Sequence, residues 1–275
     1  MQNTLSPLVE RALMGNRRPL EFYLREHSHL PGPRANLGLV NDLCHLLAVL
    51  TPVQPDNVHM VLNYLVRDHY KEVECNTPAE FVLLCGLVGF GACAAVRLEW
   101  RGETVEFLDR CANSGSWRIR EGVAMAFQRL LPAAPRETLS HLHQLASTGH
   151  YLQQRAAIAA VAEPALLNTP DMVSGALGMQ RVVLEHLHQA TAAERKREDV
   201  RALRKTLGYT LSVVTAATPE EGFALMRECA TWGDADVLWV LRENLKKRRM
   251  AKFPEHVDGL ARLLNMPPPD LRPPG

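Results

Sequence analysis

One pattern constrains this chain more than any other: an amphipathic helical stretch that recurs down the sequence. Its sharpest copy is TWGDADVLWVLRENLKKRRM, residues 231–250. Gly233 and Asp234 signal a turn, and Asp236 stands where a helix N-cap is expected. Val237, Leu238, Val240, Leu241 and Leu245 then gather mostly on one helical face. The closing run Lys246, Lys247, Arg248 and Arg249 suits the negative end of a helix dipole, which predicts helix over 236–249. A helix that is apolar on one face needs neighbours of its own kind. SWRIREGVAMAFQRL (116–130), YLQQRAAIAAVAEPALL (151–167) and DVRALRKTLGYTLSVV (199–214) supply them. They align so that Arg120, Arg155 and Arg204 fall over Arg242, and Val123, Ile158 and Leu207 over Leu245. The spacings are 35, 49 and 38 residues. A degenerate period of this length, made of helix pairs, predicts an α-solenoid in which each pair buries its apolar face against the next.

The stretch from Asp236 to Arg242, and the pair Ile119-Arg120, resemble the HEAT repeat, with its Asp in the inter-helix turn and its apolar-Arg pair in the second helix. Only the last copy keeps the Asp; Ser114, Gly149 and Glu198 stand there in the others. The resemblance covers residues 100–265 and implies an all-α, right-handed solenoid of HEAT-like helix pairs. The expected organisation is one solenoid over 1–265, with divergent repeats in 1–100 and clearer ones in 101–265, followed by a Pro-rich mobile tail, 266–275.

Proline punctuates the rest. Helices are predicted over 5–15, 19–27, 35–50, 56–69 and 79–97, then from the RGET turn to Asn113. Further helices are predicted over 116–131, 136–147, 151–162, 170–191, 198–216, 219–231 and 255–264. No alternating run with turn chemistry suggests a strand. The apolar stretch FVLLCGLVGFGACAAV (81–96) is shorter than the roughly 20 residues that span a bilayer, so it reads as a central buried helix. Gly86, Gly89 and Gly91 would let neighbouring helices come close to it. Residues 192–205, AAERKREDVRALRK, interrupt the repeat spacing and mark the place for something specific.

Charge is balanced. The chain carries 31 Lys and Arg against 30 Asp and Glu, and neither half forms a basic arm, which counts against dedicated nucleic-acid binding. The six cysteines form no C-x-x-C pair and mostly lie in apolar helical pattern, as reduced, buried residues of a cytoplasmic protein would. MQNTLSPLVERALM lacks the basic and apolar regions of a signal peptide.

The candidate binding residues are the series Arg120, Arg155, Arg204 and Arg242, with Trp117 and Trp239, on the expected concave face. Guanidinium groups there would grip acidic side chains or phosphates; the competing reading is an internal ladder in which each Arg bonds turn carboxylates or carbonyls, with Asp236 serving Arg242. The length and helical pattern are also distantly similar to the HEAT-like alkylpurine DNA glycosylases. That family's site resembles a Trp, an Asp four residues on, and a Trp in a later repeat. Here Asn113 takes the acid's place and Asp109 the Trp's, so the carboxylate that stabilises developing positive charge on the sugar is not carried over. The pairs His141/His143 and His186/His188 sit at i and i+2, about 200° apart on a helix, and cannot clamp one metal ion. No short catalytic motif is present. The expectation is a non-catalytic scaffold holding a protein partner in its groove, with no cofactor, no metal and no membrane. The second reading is a DNA-binding relative of the alkylpurine glycosylases with degenerate catalytic residues. Duplex DNA would then be held weakly and in a salt-sensitive way.

Overall fold

The computed structural model describes residues 2–67 and 73–265. Among them are fourteen α-helices, three short 3-10 turns and no strand, so the chain is all-α. It divides into two compact units, Met1–Pro135 and Arg136–Gly275. The expected tail, 266–275, and the end of the helix expected to reach His69 lie outside the described residues.

The first unit holds α1 (Gln2–Leu13), α2 (Arg18–Glu26), α3 (Leu37–Leu50), α4 (Pro55–Leu65), α5 (Pro78–Val96), α6 (Arg101–Cys111) and α7 (Trp117–Leu130). Alternate helices α3, α5 and α7 pack side by side as one layer, and α4 and α6 pack against them. The axis of this unit is α5. Its length and apolarity would let it cross a membrane, but it is buried along nearly its whole course, from Glu80 to Ala94. Gly91 brings it against α7, since a Cβ there would meet the Ala126 carbonyl oxygen at 2.5 Å. Gly86 does the same toward α4, where a Cβ would meet Leu65 Cβ at 2.9 Å.

Charge is also enclosed in this unit. Thr77 caps α5, and Glu80, one turn in, is fully buried. Its carboxylate accepts from the Asn76 amide (2.9 Å), the Ser116 hydroxyl and Arg118 Nη1 (3.3 Å). Arg118 Nη2 in turn donates to the Gly32 carbonyl at 2.7 Å. Three turns far apart in sequence thus meet on one ion pair. A second knot joins α2 to α4: Glu21 accepts from Tyr64 Oη (2.6 Å), Arg25 (2.8 Å) and Arg67 (2.8 Å). Burial opposes the charge on Glu21, but these donors prevail and hold its carboxyl at about 2.

The second unit holds α8 (Pro135–Thr148), α9 (Tyr151–Val161), α10 (Pro170–Gln189), α11 (Glu198–Ala217), α12 (Pro219–Ala230), α13 (Ala235–Leu245) and α14 (Pro254–Leu263). Here α9, α11 and α13 form one layer, and α10, α12 and α14 pack against it. This is the two-layer stacking of helix pairs that defines an α-solenoid. Val123, Ile158, Leu207 and Leu245, predicted to be equivalent core positions, are all fully buried. Asn244 is buried as well. Its side chain accepts from the Ser212 amide (2.7 Å) and donates to the Leu207 and Val240 carbonyls (both 2.8 Å), so one amide group bonds the backbones of α11 and α13.

Two local expectations are corrected. The N-cap of α13 is Asp234, not Asp236: its Oδ1 accepts from the Asp236 and Val237 amides, both at 3.0 Å. The helix also ends at Leu245 rather than Arg249, and the chain turns through a 3-10 segment, Arg248–Lys252. The reason is Met250, which is fully buried and reaches the core through that turn.

Candidate binding face

The charged segment that breaks the repeat spacing, 192–205, folds into the turn between α10 and α11 and the first two turns of α11. Glu194 accepts from the Thr191 amide and hydroxyl, both at 2.8 Å, which closes a 3-10 turn, Glu194–Lys196. Arg195 then doubles back over the end of α10. Its guanidinium donates to the His188 carbonyl (2.8 Å) and the Ala190 carbonyl (2.9 Å), where a cation suits the helix dipole. The same group donates to Asp234 at 2.7 Å and to Asp236 at 2.8 Å. Asp236 accepts from Arg204 of α11 on its other oxygen. Freed from capping duty, Asp236 therefore joins two arginines, while Asp234 caps α13. Burial pushes both carboxyls up, but Arg195 acting on both, the Val237 amide on Asp234 and Arg204 on Asp236 outweigh it and hold both low.

Above this network lies a basic and aromatic surface. The Arg204 guanidinium sits 4.4 Å from the centroid of the Trp239 ring. The ring can lie flat because residue 208 is glycine: a Cβ there would come within 3.2 Å of Trp239 Cζ3. Arg201 and Lys205, one turn apart on α11, are exposed. Together with Arg195, Val200, Arg204 and Asp236 they line a pocket of about 120 Å³. Four cations and one carboxylate thus face one small opening. Among the described residues, buried Arg204 Nε has no hydrogen-bond partner. A second, wider pocket of about 410 Å³ lies where α9 begins and α10 ends. Its lining includes Tyr151, Gln154, His186 and Arg197, and Tyr151 Oη donates to Glu194 at 3.1 Å.

No family model and no curated protein matches this chain. Among solved structures it is similar to an engineered protein from a structural genomics consortium, at 16% identity and TM-score 0.35, over 90% of this chain and 97% of that one. It is also similar to a designed armadillo repeat protein in complex with the peptide (KR)4, at 12% identity and TM-score 0.35, over 88% and 98%. A further designed armadillo repeat protein aligns at 14% identity and TM-score 0.35, over 87% and 98%.

The six residues singled out from the sequence fall in different settings. Arg204 and Trp239 are brought together. Arg242, on the same helix as Trp239, does not serve Asp236; it donates to the Leu264 carbonyl at 3.0 Å, closing the end of α14. Arg155 is 7% exposed and lies within α9, a helix buried from Gln154 to Val161. Arg120 and Trp117 belong to the first unit. Arg120 donates to the Ser114 and Gly115 carbonyls (2.7 and 3.0 Å), while Trp117 is 52% exposed and carries the Arg118 guanidinium 4.6 Å from its ring centroid. Asn113, which takes the place of the glycosylase acid, donates to the Asp109 carbonyl at 3.3 Å. Arg195, Arg201, Lys205 and Asp234 were not singled out one by one. The signal for the first three was the charged interruption at 192–205, which points to the segment but not to the side chains that matter.

Proposed function

We propose that the chain is a non-catalytic binding scaffold, and that the face formed by α11 and α13 holds a segment of a protein partner. The observation that carries this reading is the Arg204–Trp239 pair. It sets a flat aromatic and cationic platform on two helices locked to one another through Asn244, beside exposed Arg201 and Lys205. Arginine and tryptophan are the residues that most often anchor protein interfaces, and a platform fixed before binding costs little to order. Among the described residues, no group of three or more His, Cys, Asp or Glu side chains is placed to hold a metal ion. A cytoplasmic setting is part of the same reading.

The test is a peptide-display selection on the full chain, repeated on a variant carrying Arg201→Glu and Lys205→Glu. The expected result is a set of peptides that bind the native chain and lose affinity for the variant, while the melting temperature stays the same. Peptides that bind both proteins equally would place the interface elsewhere. A selection that enriches nothing would overturn the scaffold reading.

A further inference from the structure

The platform has a charge surplus, and its position says what kind of segment it fits. Arg195 and Arg204 are already matched by Asp234 and Asp236, each pair within hydrogen-bonding distance. These four groups cancel. Among the described residues, the side chains of Arg201 and Lys205 make no hydrogen bond and no ion pair, and both are exposed on the wall of the same pocket. At i and i+4 on α11 their side chains share one face. Beside them lies half-buried Trp239, with the Arg204 guanidinium over its ring.

Resting on the protein-scaffold reading, we propose that the occupant is an acidic protein segment: two carboxylates spaced to meet Arg201 and Lys205, next to one aromatic or aliphatic side chain laid against the stacked Arg204–Trp239 pair. Acidic side chains bring their charges one at a time, which suits two cations in a small opening. A nucleic-acid backbone brings an unbroken row of charge. On this face that row would run into exposed Glu198, one turn before Arg201 on α11. Two available cations also release too few counterions for firm binding to duplex DNA.

The experiment measures binding of the full chain to short synthetic peptides by fluorescence anisotropy, at low and at physiological salt. Four peptide classes are compared: acidic with one aromatic residue, the same with amides in place of the acids, basic, and neutral. A labelled DNA duplex is the fifth probe. The acidic class should bind best and weaken as salt rises. Arg201→Glu with Lys205→Glu should reduce that binding about ten-fold or more, since two attractions become two repulsions. The conservative pair Arg201→Lys and Lys205→Arg should restore most of it. If the amide or basic peptides bind as well as the acidic ones and are lost in the charge-reversed variant, the protein-binding face stands and the acidic partner is wrong. If the duplex outcompetes every peptide at physiological salt, both fail and the face belongs to nucleic acid. If the charge reversal leaves acidic binding untouched, the proposal is overturned.

Discussion

The two units each contain an arginine–carboxylate centre, and the two centres differ in access. In the first unit, Glu80 is fully enclosed and Arg118 is 6% exposed, and every neighbour of the pair is another part of the fold. In the second, Asp236 is 19% and Arg204 33% exposed, with Arg201 and Lys205 open to solvent beside them. The chemistry is the same. Enclosure makes the Glu80 pair a fastener for three turns, while exposure leaves the Asp236 pair as the base of a surface. An arginine in a helical repeat therefore says little about function until its surroundings are known.

The sharpest way to test this contrast is to remove one partner of the enclosed pair. Glu80→Ala strands the Arg118 charge inside the first unit and should lower unfolding free energy by about 3–5 kcal/mol in denaturant titration. A loss below 1 kcal/mol would show that the pair is not sealed from water. Next in size is Leu245→Ala, which empties a fully buried core position of the second unit and should cost about 2–5 kcal/mol by the same measurement. Asp236→Ala should cost about 1–2 kcal/mol, less than Glu80→Ala, because Arg195 keeps Asp234 and water can reach Arg204.

Acid should separate the carboxylates by degree. Glu21, Asp234 and Asp236 all have folded values below their ordinary ones. Their stabilisation is complete above the unfolded values, near pH 4, and is lost as pH falls through the lower folded values. For Glu21 that window runs from 4.5 down to about 2. Thermal melts taken from neutral pH downward should fall steeply below pH 4, and Glu21→Gln should flatten part of that fall. The smallest effect is expected from Arg201→Glu with Lys205→Glu. Among the described residues these side chains make no hydrogen bond or ion pair, so stability should change by no more than about 0.5 kcal/mol. A larger drop would mean that the exposed pair helps to hold the fold, and the contrast between the two centres would blur.

Much of the fold is legible in the sequence. Pro55, Pro78, Pro135, Pro170, Pro219 and Pro254 each open a helix, and proline at a first helical position is a local signal. The burial of Val123, Ile158, Leu207 and Leu245 followed from apolar spacing, which is also local. The site was less legible because its bonds are not local. Arg204 meets Asp236 across 32 residues, and Arg195 meets Asp234 across 39. A repeat alignment placed Arg242 on Asp236 because both lie on one helix, whereas in three dimensions two arginines from the preceding segment arrive first. The end of α13 was misread for a related reason. The basic run looked like the close of a helix, but the burial of Met250, five residues past Leu245, decides where the chain turns.

Asn244 has a consequence for measurement. Because the Ser212 amide on α11 gives its hydrogen to a side chain carried by α13, that single hydrogen watches the seam between two helices as well as the winding of one. Its exchange with deuterium should be slow in the native chain and should quicken in Asn244→Ala, ahead of neighbouring α11 amides. A ligand that clamps α11 to α13 would slow it further. A fully buried residue could thus report, by a clock rather than a binding curve, when a segment rests on Arg201 and Lys205.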